Sequence, residues 1–231
     1  MSDLLIKLWQ NGILQLGIWE TIYMTLISTF FAYLIGLPVG LILRMTDRDG
    51  IHPIGWLNRT LGIIVNALRS IPFIILMVAM LPVAKAIVGT SLGNRAVIVT
   101  LVIAAAPYVA RMVESAAKEV DAGVIEAALS MGASTLRIIW KVIIPEIKPG
   151  IVSGALTAFT MSIDDFVISY FTAGSSSSTL AMTIYGMTKK KVTPEINAIS
   201  TLLFVTVLVL LAVINVREAR QERKLAAEQR R

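Results

Sequence analysis

The side chains that could do chemistry in this chain are mostly acidic. Asp164 and Asp165 stand together in Ile151 to Ala173, a run otherwise free of charge. An ionised carboxylate near the centre of a bilayer costs about 2.5–3.5 kcal/mol, so such a pair requires a counter-charge, a proton or a cation. Two readings are open for it. The pair lines a path for a cationic solute or for protons, or one Asp pairs with Arg69 while the other faces water at a helix break. Arg69 sits in a second apolar run, where its depth suits snorkelling to the interface better than contact with a solute. Met161 is an adaptable apolar side chain that could line a path or fill a core. A further carboxylate, Glu126, lies beside Ala127 and Ala128 in a half-polar stretch. Small neighbours let another protein approach the backbone, and one carboxylate can set register against a basic groove.

Catalysis by the chain itself is not expected. There is no Cys, which excludes thiolate ligands, disulfides and Cys nucleophiles. The one His, His52, leaves a Ser-His-Asp triad hardly available and forms no His cluster. No G-x-x-x-x-G-K-[ST] stretch occurs, so the chain has no such cradle for ATP phosphates. A non-catalytic protein without metal or cofactor is the expectation.

The elements that carry these residues are apolar. Of 231 residues 56% are hydrophobic and 16% charged, against about 25% charged in soluble domains. Five spans are expected, at about 21–43, 61–84, 93–112, 151–173 and 196–216, within a single transmembrane domain covering 1–231. The first has 23 residues without charge, enough to cross a hydrocarbon core of roughly 30 Å. Its length, and the lack of an A-x-A-like exit, argue against a cleavable signal peptide. Residues 3–19 suit either an interfacial stretch or an extension of the first span.

Net charge is +6, but the basic residues flank spans and do not suggest nucleic-acid binding. Fourteen Lys and Arg fall after span one, between spans three and four, and in the tail 217–231; six fall on the other side. The positive-inside rule then puts the N-terminus outside and the C-terminus in the cytoplasm, against the vote of Lys189, Lys190 and Lys191. The tail suits a cytoplasmic continuation of span five with attraction to anionic lipid. Gly36-x3-Gly40 and Gly150-x3-Gly154 have the spacing of close helix packing.

Between spans three and four, residues 118–145 are neither apolar enough to span nor polar enough to be disordered. Gly132 suits the left-handed residue that ends a helix, and Ser134 suits the N-cap of the next. A second helix over 135–144, stopped by Pro145, completes a helix–turn–helix on the cytoplasmic face.

Glu126-Ala127-Ala128, three residues, Gly132, nine residues, then Val142-x-Ile144-Pro145 resembles the EAA loop of ABC importer permeases. The family pattern is E-A-A-x3-G-x9-I-x-L-P, here with Val for Ile and Ile for Leu. The resemblance implies an all-α membrane protein of the type I permease fold, with five transmembrane helices and a cytoplasmic coupling helix. It implies that Glu126, Ala127, Ala128, Gly132 and Pro145 couple to a separate ATPase, present in two copies. It further implies an extracytoplasmic substrate-binding protein, a second permease subunit and location in the bacterial inner membrane. Residues 17–126 resemble methionine-importer permeases, through stretches such as Arg69-Ser70-Ile71-Pro72-Phe73 and Ala106-Pro107-Tyr108-Val109-Ala110-Arg111. Residues 159–216 resemble spermidine/putrescine permeases, through Ser162-Ile163-Asp164-Asp165-Phe166 and Thr193-Pro194-Glu195-Ile196-Asn197. The five-span plan and the longer match favour a homodimer carrying a methionine-like amino acid. The acidic pair favours a polyamine, and a proton- or ion-conducting protein is the reading from a different class.

Overall fold

The computed structural model of the chain describes residues 10, 12–163, 166–174, 179–189 and 194–228. Among them the regular structure is helical: α1 (Ile13–Thr46), α2 (Gly55–Ser70), α3 (Phe73–Val88), α4 (Asn94–Lys118), α5 (Ala122–Ser130), α6 (Thr135–Ile138), a π-helical turn (Ile139–Ile143), α7 (Ile144–Ile163), α8 (Phe166–Thr172), α9 (Leu180–Thr188) and α10 (Pro194–Glu228). Helix is what lipid permits, because every backbone N–H and C=O in hydrocarbon must be satisfied within the segment. Four described helices are long and apolar enough to cross a membrane, over Gln15–Thr46, Asn94–Lys118, Thr135–Thr160 and Ile196–Val213. The pair α2 and α3 makes a fifth if a broken span counts as one.

Three features differ from the expected boundaries. The second apolar run is not one helix. Ile71 and Pro72 interrupt it, with Ile71 extended at φ −69° and ψ 128° and its N–H bonded to the Ala67 carbonyl. A residue before proline is pushed out of the α region, which places the break there. Pro72 therefore stands at the N-cap of α3. The second difference is at α1, which has 34 residues and begins at Ile13, so from there on the stretch before the first run extends that span. The third concerns Pro145, taken up with the site below.

The chain divides into two compact units. One comprises Phe31–Ile71 and Ala104–Ala158. Its core joins Ala32 and Leu41 of α1, Val109 and Val113 of α4, Ile125 and Ala128 of α5, and Ile138, Ile143 and Ile147 further on. The close packing expected of the two glycine pairs is present here. A Cβ on Gly36 would lie 2.7 Å from the Ala106 carbonyl and from Val109 Cβ, and one on Gly154 would lie 2.5 Å from Tyr33 Oη. Gly40 faces Ala110 and Val113 in the same way, and Gly150 faces Ala116.

The other unit gathers the described parts of Met1–Phe30, Pro72–Ile103 and Phe159–Arg231. There Leu180 and Ile199 pack with Ile18, Ile184 and Leu203. Thr21 Oγ1 accepts from the Leu180 N–H at 3.0 Å, capping the start of α9 from α1. The buried Thr100 hydroxyl bonds to a carbonyl of its own helix, Ala96 O, at 2.9 Å.

Candidate functional site

The half-polar segment after α4 is built by local rules. Asp121 caps α5, its Oδ1 accepting from the N–H groups of Gly123 (2.6 Å) and Val124 (3.3 Å). Ile125 and Ala128, three residues apart, share the buried face of α5. Glu126, Ala127 and Leu129 are exposed. Gly132 ends the helix at φ +76°, with its N–H on the Leu129 carbonyl and the Ala133 N–H on the Ala128 carbonyl. That pair of bonds is the Schellman closure, which needs a left-handed residue at this point. Ser134 holds the N-cap position of α6 with extended backbone, but its hydroxyl makes no capping bond.

Pro145 does not stop the helix. The backbone turns from α6 into the π-helical turn and on through α7, with the Ile144 N–H bonded to Ile139 O. One extra residue in the turn changes the register just before the proline. Pro145, the second residue of α7, therefore needs no N–H partner at the usual α position. Gly132 and Pro145 are both exposed. So are Met131 (81%), Leu136 (69%) and Trp140 (67%), large apolar side chains on the same short segment. Large apolar side chains exposed on an otherwise half-polar segment are the kind of surface found at interaction sites.

The turn between α1 and α2 packs beside α5. Residues 47–54 fold back across the end of α1 through Gly50 N–H to Asp47 O (3.0 Å), His52 N–H to Met45 O (3.0 Å) and Ile54 N–H to Thr46 O (3.1 Å). Gly50 is obligatory here because a Cβ would run into the backbone of Met45. Lys118 Nζ bonds to Asp47 Oδ2 at 2.9 Å, and Arg44 Nε donates to the Ala117 carbonyl at 3.2 Å. His52 Nε2 and Thr135 Oγ1 lie 2.7 Å apart, joining the turn to the start of α6. The Lys118 hydrogen bond, aided by the Arg48 N–H, holds the Asp47 carboxyl below the usual carboxylate range. Between this turn and α5 is a cleft of about 200 Å³ whose lining includes Asp49, Ile51, Ile125, Glu126 and Leu129.

Sequence reasoning missed Glu114. It is 5% exposed and lies between two cations, bonded by Arg111 and, at 3.0 Å, by Lys118. Arg111 also donates through Nε to Asn66 Oδ1 at 3.2 Å, tying α4 to α2. The available signal was the spacing Arg111-x-x-Glu114-x-x-x-Lys118, which puts all three on one helix face.

Of the expected site residues, Glu126, Ala127 and Ala128 share α5 and Gly132 closes it, while Pro145 lies in the first turn of α7. Ala128 faces the core rather than a partner. Arg69 is exposed in the last turn of α2. Asp164, Asp165 and the Met161 side chain lie outside the described residues.

Residues 36–226 match the family described as binding-protein-dependent transport system inner membrane component. The chain is 50% identical over 146 residues to the D-methionine transport system permease protein MetI of Salmonella typhimurium, covering 63% of this chain and 67% of that protein. It is 35% identical over 204 residues to the probable MetI of Pasteurella multocida, covering 88% and 92%. Among solved structures, a chain of the inward-facing MetNI methionine ABC transporter superposes with a TM-score of 0.81 at 38% identity, covering 91% of this chain and 97% of that one. A chain of an amino acid ABC transporter, at 20% identity and a TM-score of 0.70, shares the fold.

Proposed function

Since the chain belongs to the family of binding-protein-dependent transport system inner membrane components, we propose that it is the permease subunit of an ABC importer for a methionine-like amino acid. The observation that carries this is the 38% identity to a MetNI chain maintained across 91% of this one. In this reading the chain hydrolyses nothing. Two copies of a partner ATPase work from the cytoplasmic side, and an extracytoplasmic binding protein delivers the substrate. A second copy of the permease completes the path in the inner membrane. The exposed residues of α5 and α6 are the coupling surface, with Glu126 setting the register of the docked ATPase. Charge on that surface chooses the partner and orientation, while Met131, Leu136 and Trp140 provide the apolar contact.

The test is ATP-driven uptake into proteoliposomes holding the permease, its ATPase and its binding protein, with labelled methionine and labelled spermidine in parallel. Methionine accumulation is expected, and Glu126→Lys is expected to abolish it together with co-purification of the ATPase. Spermidine uptake in place of methionine would reassign the substrate to the polyamine class. Retention of the ATPase by the Glu126→Lys protein would remove the coupling role from that carboxylate.

A further inference from the structure

The last two turns of α4 carry more charge than a span needs. Among the described residues Glu114 is the one buried charge, at 5% exposed. Arg111 and Lys118 lie three residues before it and four after, on the same helix face, and both bond to it. Each cation also reaches another element. Arg111 donates through Nε to Asn66 Oδ1 at 3.2 Å and through Nη2 to the Gly62 carbonyl at 3.4 Å, both on α2. Lys118 Nζ stands 3.0 Å from Glu114 Oε1 and 2.9 Å from Asp47 Oδ2, so one ammonium links α4 to the α1–α2 turn. Arg44 of α1 adds a bond to the Ala117 carbonyl at 3.2 Å. All of these residues belong to one compact unit, which also contains α5. Only residues 119–121 separate Lys118 from α5, and Val120 among them is buried in the core. A displacement of α5 therefore reaches the end of α4 with little slack.

Stability alone is a poor reason for this arrangement. Taking a carboxylate and its cations out of water costs about as much as their attraction returns, and an apolar core of the same shape often serves as well. A charge-assisted hydrogen bond adds direction, because it holds one atom against another where apolar surfaces can slide. We propose that Glu114 is a positioning residue for transport. Through Arg111 and Lys118 it fastens α2 and the α1–α2 turn to the end of α4, so that a movement of α5 shifts these elements as one body. The proposal rests on the permease reading above, in which α5 meets the ATPase, and adds to it the joint behind that surface. The two ends of the joint differ in character. Arg111 is half-buried, whereas the Lys118 side chain is 47% exposed, so the link to Asp47 is the one that water and salt can loosen.

The experiment uses proteoliposomes holding the full-length permease, its ATPase and its binding protein. It measures solute accumulated per ATP hydrolysed, with methionine or spermidine, whichever the unmodified chain takes up. Glu114→Gln, Lys118→Gln, Lys118→Arg and Asp47→Asn are compared. A role in stability alone would move the melting curve and the yield of assembled complex but leave that ratio unchanged. Glu114→Gln and Lys118→Gln are expected to lower the ratio by about fivefold, with the ATPase still co-purifying and hydrolysis continuing. Lys118→Gln acts at the exposed end and leaves Arg111 on Glu114, so it tests the joint even where Glu114→Gln folds poorly. Lys118→Arg, which keeps a cation between the two carboxylates, is expected to stay within about twofold of the unmodified chain. Glu114→Gln combined with Asp47→Asn should cost less than the product of the two single effects, because both act on Lys118. A ratio within about twofold of the unmodified chain for both Glu114→Gln and Lys118→Gln would overturn the joint and leave the permease reading standing. Loss of the ATPase from both variants would overturn it too, since the network would then serve docking. Absence of ATP-driven uptake by the unmodified chain would overturn both.

Discussion

Asp47 shows how one half-buried side chain can hold a loop. Its carboxyl is kept below the usual carboxylate range by the Lys118 hydrogen bond first and by the Arg48 N–H second. The folded state thus binds this proton less readily than the unfolded chain, whose value is 3.8. The stabilisation is complete above that value and is lost as pH falls through the lowered one. Hydrogen-exchange protection of the Gly50, His52 and Ile54 amides is therefore expected to stay level from neutral pH to about pH 4 and to fall below it. Asp47→Asn should lower it already at neutral pH. Protection in the Asp47→Asn protein equal to that of the unmodified chain at neutral pH would remove the anchoring role from this carboxylate.

Among elements, the α5–α6 segment and the end of α4 behave differently. Helix α5 is determined locally, by the Asp121 cap and the Gly132 closure. Only the apolar pair Ile125 and Ala128 anchors it to the core. The end of α4 depends on charge: buried Glu114 takes Arg111 and Lys118, and through them connects α2 and the α1–α2 turn. Removing the buried acceptor leaves Arg111 without its carboxylate and Lys118 with Asp47 alone. Glu114→Ala is expected to destabilise the unit by about 2 kcal/mol in detergent unfolding, with Glu114→Gln milder because its amide oxygen can still accept. An unchanged melting temperature for Glu114→Ala would mean that water replaces the carboxylate at no cost. The π-helical turn before Pro145 is a third kind of element, a register change that lets one helix pass from the α5–α6 segment into a span.

For the whole molecule the deciding question is orientation. By the positive-inside rule, fourteen basic residues against six lead to the expectation of a C-terminus inside and an N-terminus outside. Lys189 belongs to the minority side, and its surroundings account for a charge there. Its Nζ donates to Tyr170 Oη at 3.0 Å and stands 4.9 Å from the Tyr185 ring centroid, so aromatic faces hold the ammonium. Because the chain has no Cys, single substitutions at Ser2 and Gln229 can be labelled without background. A membrane-impermeant maleimide added to intact cells is expected to react at position 2 and not at 229. The reverse pattern would invert the topology and remove α5 and α6 from the ATPase side.

Much of this was legible in the residues. The number and rough placement of the spans follow from apolar length, because a bilayer imposes one requirement on every segment that crosses it. The Gly132 closure and the glycine pairs were also visible, since φ > 0 and close backbone approach each demand a glycine locally. The EAA spacing pointed to the family for the same reason: it lies within one short stretch. Other features depended on partners distant in sequence. Pro145 read as a stop because local propensity says so, but the π-helical turn and the packing of Ile143 and Ile147 in the core carry the helix past it. Asp121 acts through the bonds of its carboxylate to two amides of α5. Glu114 has only its helical spacing to Arg111 and Lys118 to mark it in the sequence. Only the tertiary structure brings Arg111 to Asn66, Lys118 to Asp47 and the α1–α2 turn against Glu126. Such contacts join residues some 45 to 80 positions apart, and local chain physics does not encode which distant segment packing will supply.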